Sequence, residues 1–110
     1  MTIHKTVLLV LSFLLISGCA TIGKDFNFLG PSQIKIGQTS KKDILKIFGN
    51  PFRVGYDSGD ERWTYGFYKY TLFSDSDTKD LIVIFDSKNK VKDYIFNSSL
   101  EEDKLKILVK

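Results

Sequence analysis

The chain is poor in the residues that perform chemistry. Its 110 residues hold one histidine, one cysteine, one tryptophan, one methionine and two prolines. A single cysteine excludes a disulfide within the chain. The lone histidine, His4, falls in an N-terminal stretch that reads as removed on maturation. The remainder has neither histidine nor a free thiol, which excludes zinc sites and the usual nucleophile–base pairs and leaves no cofactor or metal to expect. The carboxylates of "SDSDTKD" (Asp75, Asp77, Asp80) do not build a calcium loop. Lys79 takes the third acidic position, and the required glycine and closing glutamate are missing, so the segment reads as a solvated hairpin tip. Asp57, Asp60 and Glu61 lie near one turn, with no sign of a desolvated acid beside an ionised partner, so hydrolysis is the disfavoured reading. An excess of one charge is also lacking: 16 basic residues face 13 acidic ones. Arg53 and Arg62 lie apart and the lysines alternate with acids, so no basic stripe exists for nucleic acid. Nor is there a run of the roughly 20 apolar residues that a transmembrane helix needs.

What the chain does have begins with a signal. The amino terminus and Lys5 form a positive flank, Val7 to Ile16 an apolar core, and small residues follow, the layout of a secretory leader. On these features alone, a secreted protein with one leftover thiol and a short buried helix both stay open. The end of the run, Ile16-Ser17-Gly18-Cys19, resembles the bacterial lipobox. That resemblance implies that residues 1–18 are a lipoprotein signal peptide, that cleavage leaves Cys19 first, and that its thiol and new amino terminus carry fatty chains such as palmitate. Two or three chains hold a protein on a bilayer almost permanently, at ~0.8 kcal/mol per buried methylene. Ala20 is not the aspartate of the common inner-membrane retention pattern, so the resemblance favours the outer membrane, facing the periplasm.

Residues 19–30 read as the acylated N-terminus and a tether, since "ATIGKDFNFLG" has glycines at both ends and no sustained period. Its Phe26, Phe28 and Leu29 either dock on the domain, meet the membrane or touch a partner, docking being the simplest. Residues 31–110 read as one small domain. Pro31 to Ile34 suits a short helical turn. In "IGQTSKKDILKIFGNP", Thr39 or Ser40 caps a helix, with Ser40 and Asp43 spaced as a capping box. Ile44, Leu45, Ile47 and Phe48 form its apolar face; Gly49 and Pro51 stop it. The period then becomes two. Trp63, Tyr65 and Phe67 alternate with polar or small neighbours as a strand with one core face. Leu81 to Phe85 is apolar on both faces, as in a central strand. "DSKNK" turns, with Asn89 suited to positive φ, into a third strand from Val91 to Asn97. Phe52 to Tyr56 is a weaker edge strand. "SSLEEDKLKILVK" is either a docked helix capped by Ser99 and Glu102, with Leu105, Leu108 and Val109 on one side, or a frayed tail. The fold class is therefore α+β: two short helices packed on a three-stranded antiparallel meander.

In order, Gly37-Gln38-Thr39, Phe48-Gly49-Asn50-Pro51, Trp63-Thr64-Tyr65 and Ile84-Phe85-Asp86 followed by Val91 resemble the motifs of the SmpA/OmlA, or BamE-like, outer-membrane lipoproteins. The resemblance covers about Gln33 to Phe96. It implies the same two-helix, three-strand fold, a lipid anchor and no catalysis. The implied role is contact with β-barrel assembly machinery proteins at the outer membrane, partly through anionic lipid. A related lipoprotein serving another envelope protein as inhibitor or accessory subunit is the alternative. Thr64 and Tyr68 fill positions where the family tends to carry an aromatic and an arginine, and partner contact is expected there. With the larger aromatics inward, the candidate partner patch is Arg62, Thr64, Tyr68 and Tyr70, with Phe52 and Tyr56 near the helix exit. Tyrosine and arginine suit contact centres because they give stiff area with a polar tip.

Overall fold

The computed structural model describes residues 3–9, 19–73 and 76–103. After a helical segment at 3–9, the chain forms β1 (Cys19–Gly23), a 3-10 turn (Pro31–Gln33), α1 (Lys41–Phe48), β2 (Arg53–Asp57), β3 (Asp60–Thr71), β4 (Asp77–Phe85) and β5 (Val91–Ser98). The class is the α+β one that the patterning predicts. The meander is β3–β4–β5, antiparallel throughout, and β2 is the weaker edge strand, in which Gly55 pairs with Arg62 without a break.

The sheet has five strands rather than three or four. Its extra member is β1, which lies in the stretch read as a tether, and it pairs antiparallel with Phe67–Thr71. Both β1 and β2 use the same edge of β3, end to end, because β3 is twelve residues long and β2 covers only Asp60 to Thr64. The open edge would otherwise leave unpaired N–H and C=O groups. Main-chain pairing of this kind asks little of side chains, so "CATIG" carries no strand period to read. Gly23 closes β1 where the chains are closest: a Cβ there would lie 2.0 Å from the Gly66 carbonyl oxygen.

One face of the sheet carries the core. Trp63, Tyr65, Leu81, Val83, Phe85 and Val91 point to it, and Ile44 and Phe48 of α1 close over them with Phe26, Phe28 and Ile34. Phe26 and Phe28 dock, as the simplest reading had it: Phe28 stacks 4.4 Å from Phe96, and Phe26 lies 6.2 Å from both Phe48 and Tyr65. Fully burying a side chain of this size contributes about 1.5–3 kcal/mol. The helix face is narrower than its spacing suggested, since Leu45 and Ile47 are each 42% exposed. Eight residues make little more than two turns, and only one residue per turn reaches the sheet.

The helix boundaries follow local chemistry. The Ser40 hydroxyl accepts from the Asp43 N–H, and the Asp43 carboxylate accepts from the Ser40 N–H, which completes the capping box. Thr39 serves the preceding turn instead, its Oγ1 accepting from the Lys35 N–H at 2.8 Å. Gly37 and Thr39 then bracket Val91: the Gly37 N–H donates to the Val91 carbonyl and the Val91 N–H to the Thr39 carbonyl, both at 2.8 Å. The separated Gly-x-Thr and Val motifs are thus one junction between helix and meander. Asn89 takes φ 61 in the β4–β5 turn, as expected.

Two local readings need correction. Asp77 to Asp80 belong to β4 rather than to a solvated tip, and Lys79 is buried, its ammonium donating to the Phe26 carbonyl at 2.5 Å and pairing with Asp25. The Ser99 hydroxyl accepts from the Thr78 N–H and donates to the Ser76 carbonyl, so it holds β4 rather than serving a helix. Residues 101–103 are helical. The helix face expected at Leu105, Leu108 and Val109, the lipobox residues Ile16 to Gly18, and Asp75 lie outside the described residues.

Candidate protein-interaction face

Strand register assigns every sheet residue to a face, because directly paired residues point the same way. Opposite the core, Arg62, Thr64, Tyr68 and Tyr70 of β3 line up with Ile84, Ile82 and Thr78 of β4, and with Ile22 and Ala20 of β1. Beyond β4 come Asp93, Ile95 and Asn97 of β5; beyond Thr64, on β2, comes Arg53. Every side chain on this face is half-buried or exposed. Ile22, Tyr70 and Ile95 are exposed, and Ile82 and Ile84 lie between them. The face is an apolar centre with a charged rim: Arg53 and Arg62 toward one edge, Asp80 and Asp93 toward the other.

Tyr68 folds its ring back over Gly66, where any Cβ would come within 2.7 Å of it. Burial pushes the Tyr68 phenol above its ordinary value, Asp80 and Tyr70 add to the rise, and Arg53 opposes it, so Tyr68 stays a neutral hydrogen-bonding group. Arg62 Nε is a buried donor with no acceptor in the described chain. A buried polar group is nearly always satisfied, and among the described residues nothing satisfies this one.

The six residues of the predicted patch do not form one surface. Arg62, Thr64, Tyr68 and Tyr70 share the open face, whereas Phe52 and Tyr56 alternate with Arg53 and Gly55 and point to the core side of β2. Phe52 lines a cleft of about 360 Å³ with Gly23, Phe26, Phe48, Pro51 and Tyr65. Tyr56 stands 75% exposed beyond the core. The isoleucines, in contrast, were not singled out for contact. Their signal was present: a strand apolar on both faces must offer its second face to something, and among the described residues α1 packs on the core face alone.

The carboxylates near the β2–β3 turn act as struts. Asp60 pairs with Lys92 at 2.8 Å. Glu61 pairs with Lys41 and accepts from the Trp63 indole N–H, and both bonds hold its carboxyl below the usual range, the Lys41 bond more strongly. Among the described residues no group of histidine, cysteine, aspartate and glutamate is placed to hold a metal ion, and no helix is long and apolar enough to cross a membrane.

Among the described residues, then, the sheet has one packed face and one open face. The sequence model of the outer membrane protein assembly factor BamE domain matches residues 31–95, and the chain belongs to that family. No curated protein and no solved structure matches the chain.

Proposed function

We propose that this protein is a non-catalytic accessory factor in outer-membrane protein assembly, anchored by lipid on Cys19 to the periplasmic leaflet of the outer membrane. It acts by contact, and the contact surface is the open sheet face centred on Arg62, Thr64, Tyr68 and Tyr70. Membership of an assembly-factor family supports the role, and one observation carries the site: a sheet face that leaves Ile22, Tyr70 and Ile95 exposed, with an unsatisfied arginine donor on its rim. Tyrosine and arginine beside isoleucine suit a protein partner, whereas two separated arginines do not track a nucleic-acid backbone.

Affinity recovery from detergent-solubilised envelopes tests this. Co-recovery of β-barrel assembly proteins is the expected result. Their absence, under conditions that retain some other envelope protein, overturns the assembly role in favour of an inhibitor or accessory subunit of that other protein.

A further inference from the structure

We propose that β2 pairs with β2 of a second copy of this chain, antiparallel and centred on Gly55, so that two sheets join edge to edge. The surface is separate from the open face and does not depend on that face's partner. Ser58 (φ 51) and Gly59 (φ 89) form a two-residue hairpin turn between Asp57 and Asp60, and the pair flanking such a turn is hydrogen-bonded. Hydrogen-bonded pairs recur at every second residue, so Gly55–Arg62 and Arg53–Thr64 follow. Val54 and Tyr56 therefore turn their N–H and C=O groups away from β3. Among the described residues no strand takes them.

The edge on the far side of the sheet is built differently. On β5 the Val91 N–H and C=O are taken by Thr39 and Gly37, the pairing with β4 skips Lys92, and the Asp93 carboxylate accepts from the Tyr94 N–H at 2.8 Å. Such devices keep an edge from pairing. On β2 the register is unbroken from Arg53 to Asp57, and Val54 and Tyr56 are 53% and 75% exposed.

The strand RVGYD complements its own reverse. Paired antiparallel about Gly55, Arg53 stands opposite Asp57 of the copy on both sides of the centre, and Val54 opposite Tyr56 of the copy. Opposite charges and aromatic–aliphatic pairs both favour strand pairing. Among the described residues Arg53 and Asp57 make no salt bridge, and Asp57 is paired in register with a like charge, Asp60, which Lys92 takes. Gly55 answers no need within the chain, since its φ is not positive and a Cβ there would meet nothing within 4 Å. Glycine inside a strand often marks the close approach of another backbone. At the two-fold axis Gly55 meets its own copy with Cα atoms about 4.5 Å apart. Strand β1 continues the edge beyond Arg53, past the copy's turn, and leaves the pairing clear. Directly paired residues share a face, so the two open faces lie side by side on one side of the joined sheet. Five residues a side make a small interface, of the weak and transient class.

The test uses the full chain in mild detergent, oxidised with copper–phenanthroline. Gly55→Cys sets two thiols at the axis within disulfide reach, whereas Ser58→Cys sets them roughly 20 Å apart. The expected result is a disulfide-linked dimer from Gly55→Cys, and none from Ser58→Cys or from the parent with Cys19 alone. Arg53→Asp added to Gly55→Cys sets like charges opposite each other and should cut the yield several-fold, and Asp57→Arg added to both should restore it. Sedimentation equilibrium of the charge variants without the introduced cysteine should show the same loss and recovery of the dimer. A Gly55→Cys chain that links no better than Ser58→Cys, a yield indifferent to charge reversal, or a parent that stays monomeric at millimolar concentration overturns the pairing. A Gly55→Cys disulfide to a different envelope protein assigns the edge to that protein and overturns self-pairing.

Discussion

The Tyr65 hydroxyl donates a 2.7 Å hydrogen bond to the Gly49 carbonyl, joining the centre of β3 to the residue that ends α1. Burial holds the phenol well above its ordinary value of 10.0, so the donor persists through the physiological range. Gly49 itself adopts φ 81, ψ −158, a region essentially reserved for glycine. A Cβ there would meet nothing within 4 Å, so the cost of Gly49→Ala is conformational alone, about 1–3 kcal/mol. Tyr65→Phe should cost about 1 kcal/mol by removing the donor while keeping the ring. Urea unfolding of the two variants checks both, and an unchanged midpoint for Gly49→Ala would show that the helix end relaxes elsewhere.

This junction shows what was legible. Helix boundaries, the turn at Asn89 and the inward aromatics Trp63 and Tyr65 follow from local rules, since capping, positive φ and period-two burial each act within a few residues. What was hidden depends on partners far along the chain. Strand β1 exists because β3 outruns β2, a fact about lengths rather than about "CATIG". Lys79 was read as a misfit in a calcium loop because nothing nearby announces that the Phe26 carbonyl, 53 residues away, will receive its ammonium. Phe52 and Tyr56 were grouped with Tyr68 because one-dimensional proximity does not say which way an edge strand alternates.

Trp63 packs edge-to-face on Phe85 at 5.0 Å and is 8% exposed. Trp63→Ala should therefore cost about 3–5 kcal/mol, through lost burial and the cavity left behind. A calorimetric melting temperature close to the parent's would place this indole outside the core.

Acid should unfold the domain through three carboxylates. Glu61 is held below 4.5, chiefly by its bond from Lys41, Asp43 below 3.8 by the Ser40 N–H and hydroxyl, and Asp86 below 3.8 by the N–H groups of Lys90 and Lys88. In each case the unfolded chain takes up a proton at a pH where the folded chain does not. The stabilisation is therefore complete above those ordinary values and disappears as the pH falls through the lower folded ones. The urea midpoint should be flat from neutrality to about pH 5 and then fall. Glu61→Gln should lower the neutral-pH midpoint and shrink the acid drop. An equally steep drop in that variant would remove Glu61 from the account.

Lys79 holds the segment after β1 onto the sheet. Its ammonium bonds to the Phe26 carbonyl, lies 5.0 Å from the Phe26 ring and pairs with an Asp25 carboxylate whose side chain is 64% exposed. In Lys79→Met the exposed carboxylate can rehydrate, but the Phe26 carbonyl loses its donor, so the cost should be about 1–2 kcal/mol. Hydrogen exchange should rise first at residues 26–28. Exchange that rises evenly over the whole sheet would mean that this segment unfolds only with the rest.

The open face makes the sharpest distinction among the predicted contact residues. Tyr70 and Ile95 are each 43% exposed on that face, and Tyr56 is exposed on the other side of β2. Tyr70→Ala combined with Ile95→Lys removes stiff aromatic area and sets a charge into the apolar centre. Neither position is buried, so stability should change by no more than about 0.5 kcal/mol per site. Recovery of the partner from solubilised envelopes should fall at least about tenfold, the equivalent of ~1.4 kcal/mol of binding. Tyr56→Ala should leave recovery intact, because its side chain points away from the face. The reverse pattern, with Tyr56→Ala abolishing recovery and the double variant retaining it, would move the contact to the helix side and leave the Arg62 donor without a partner-binding role.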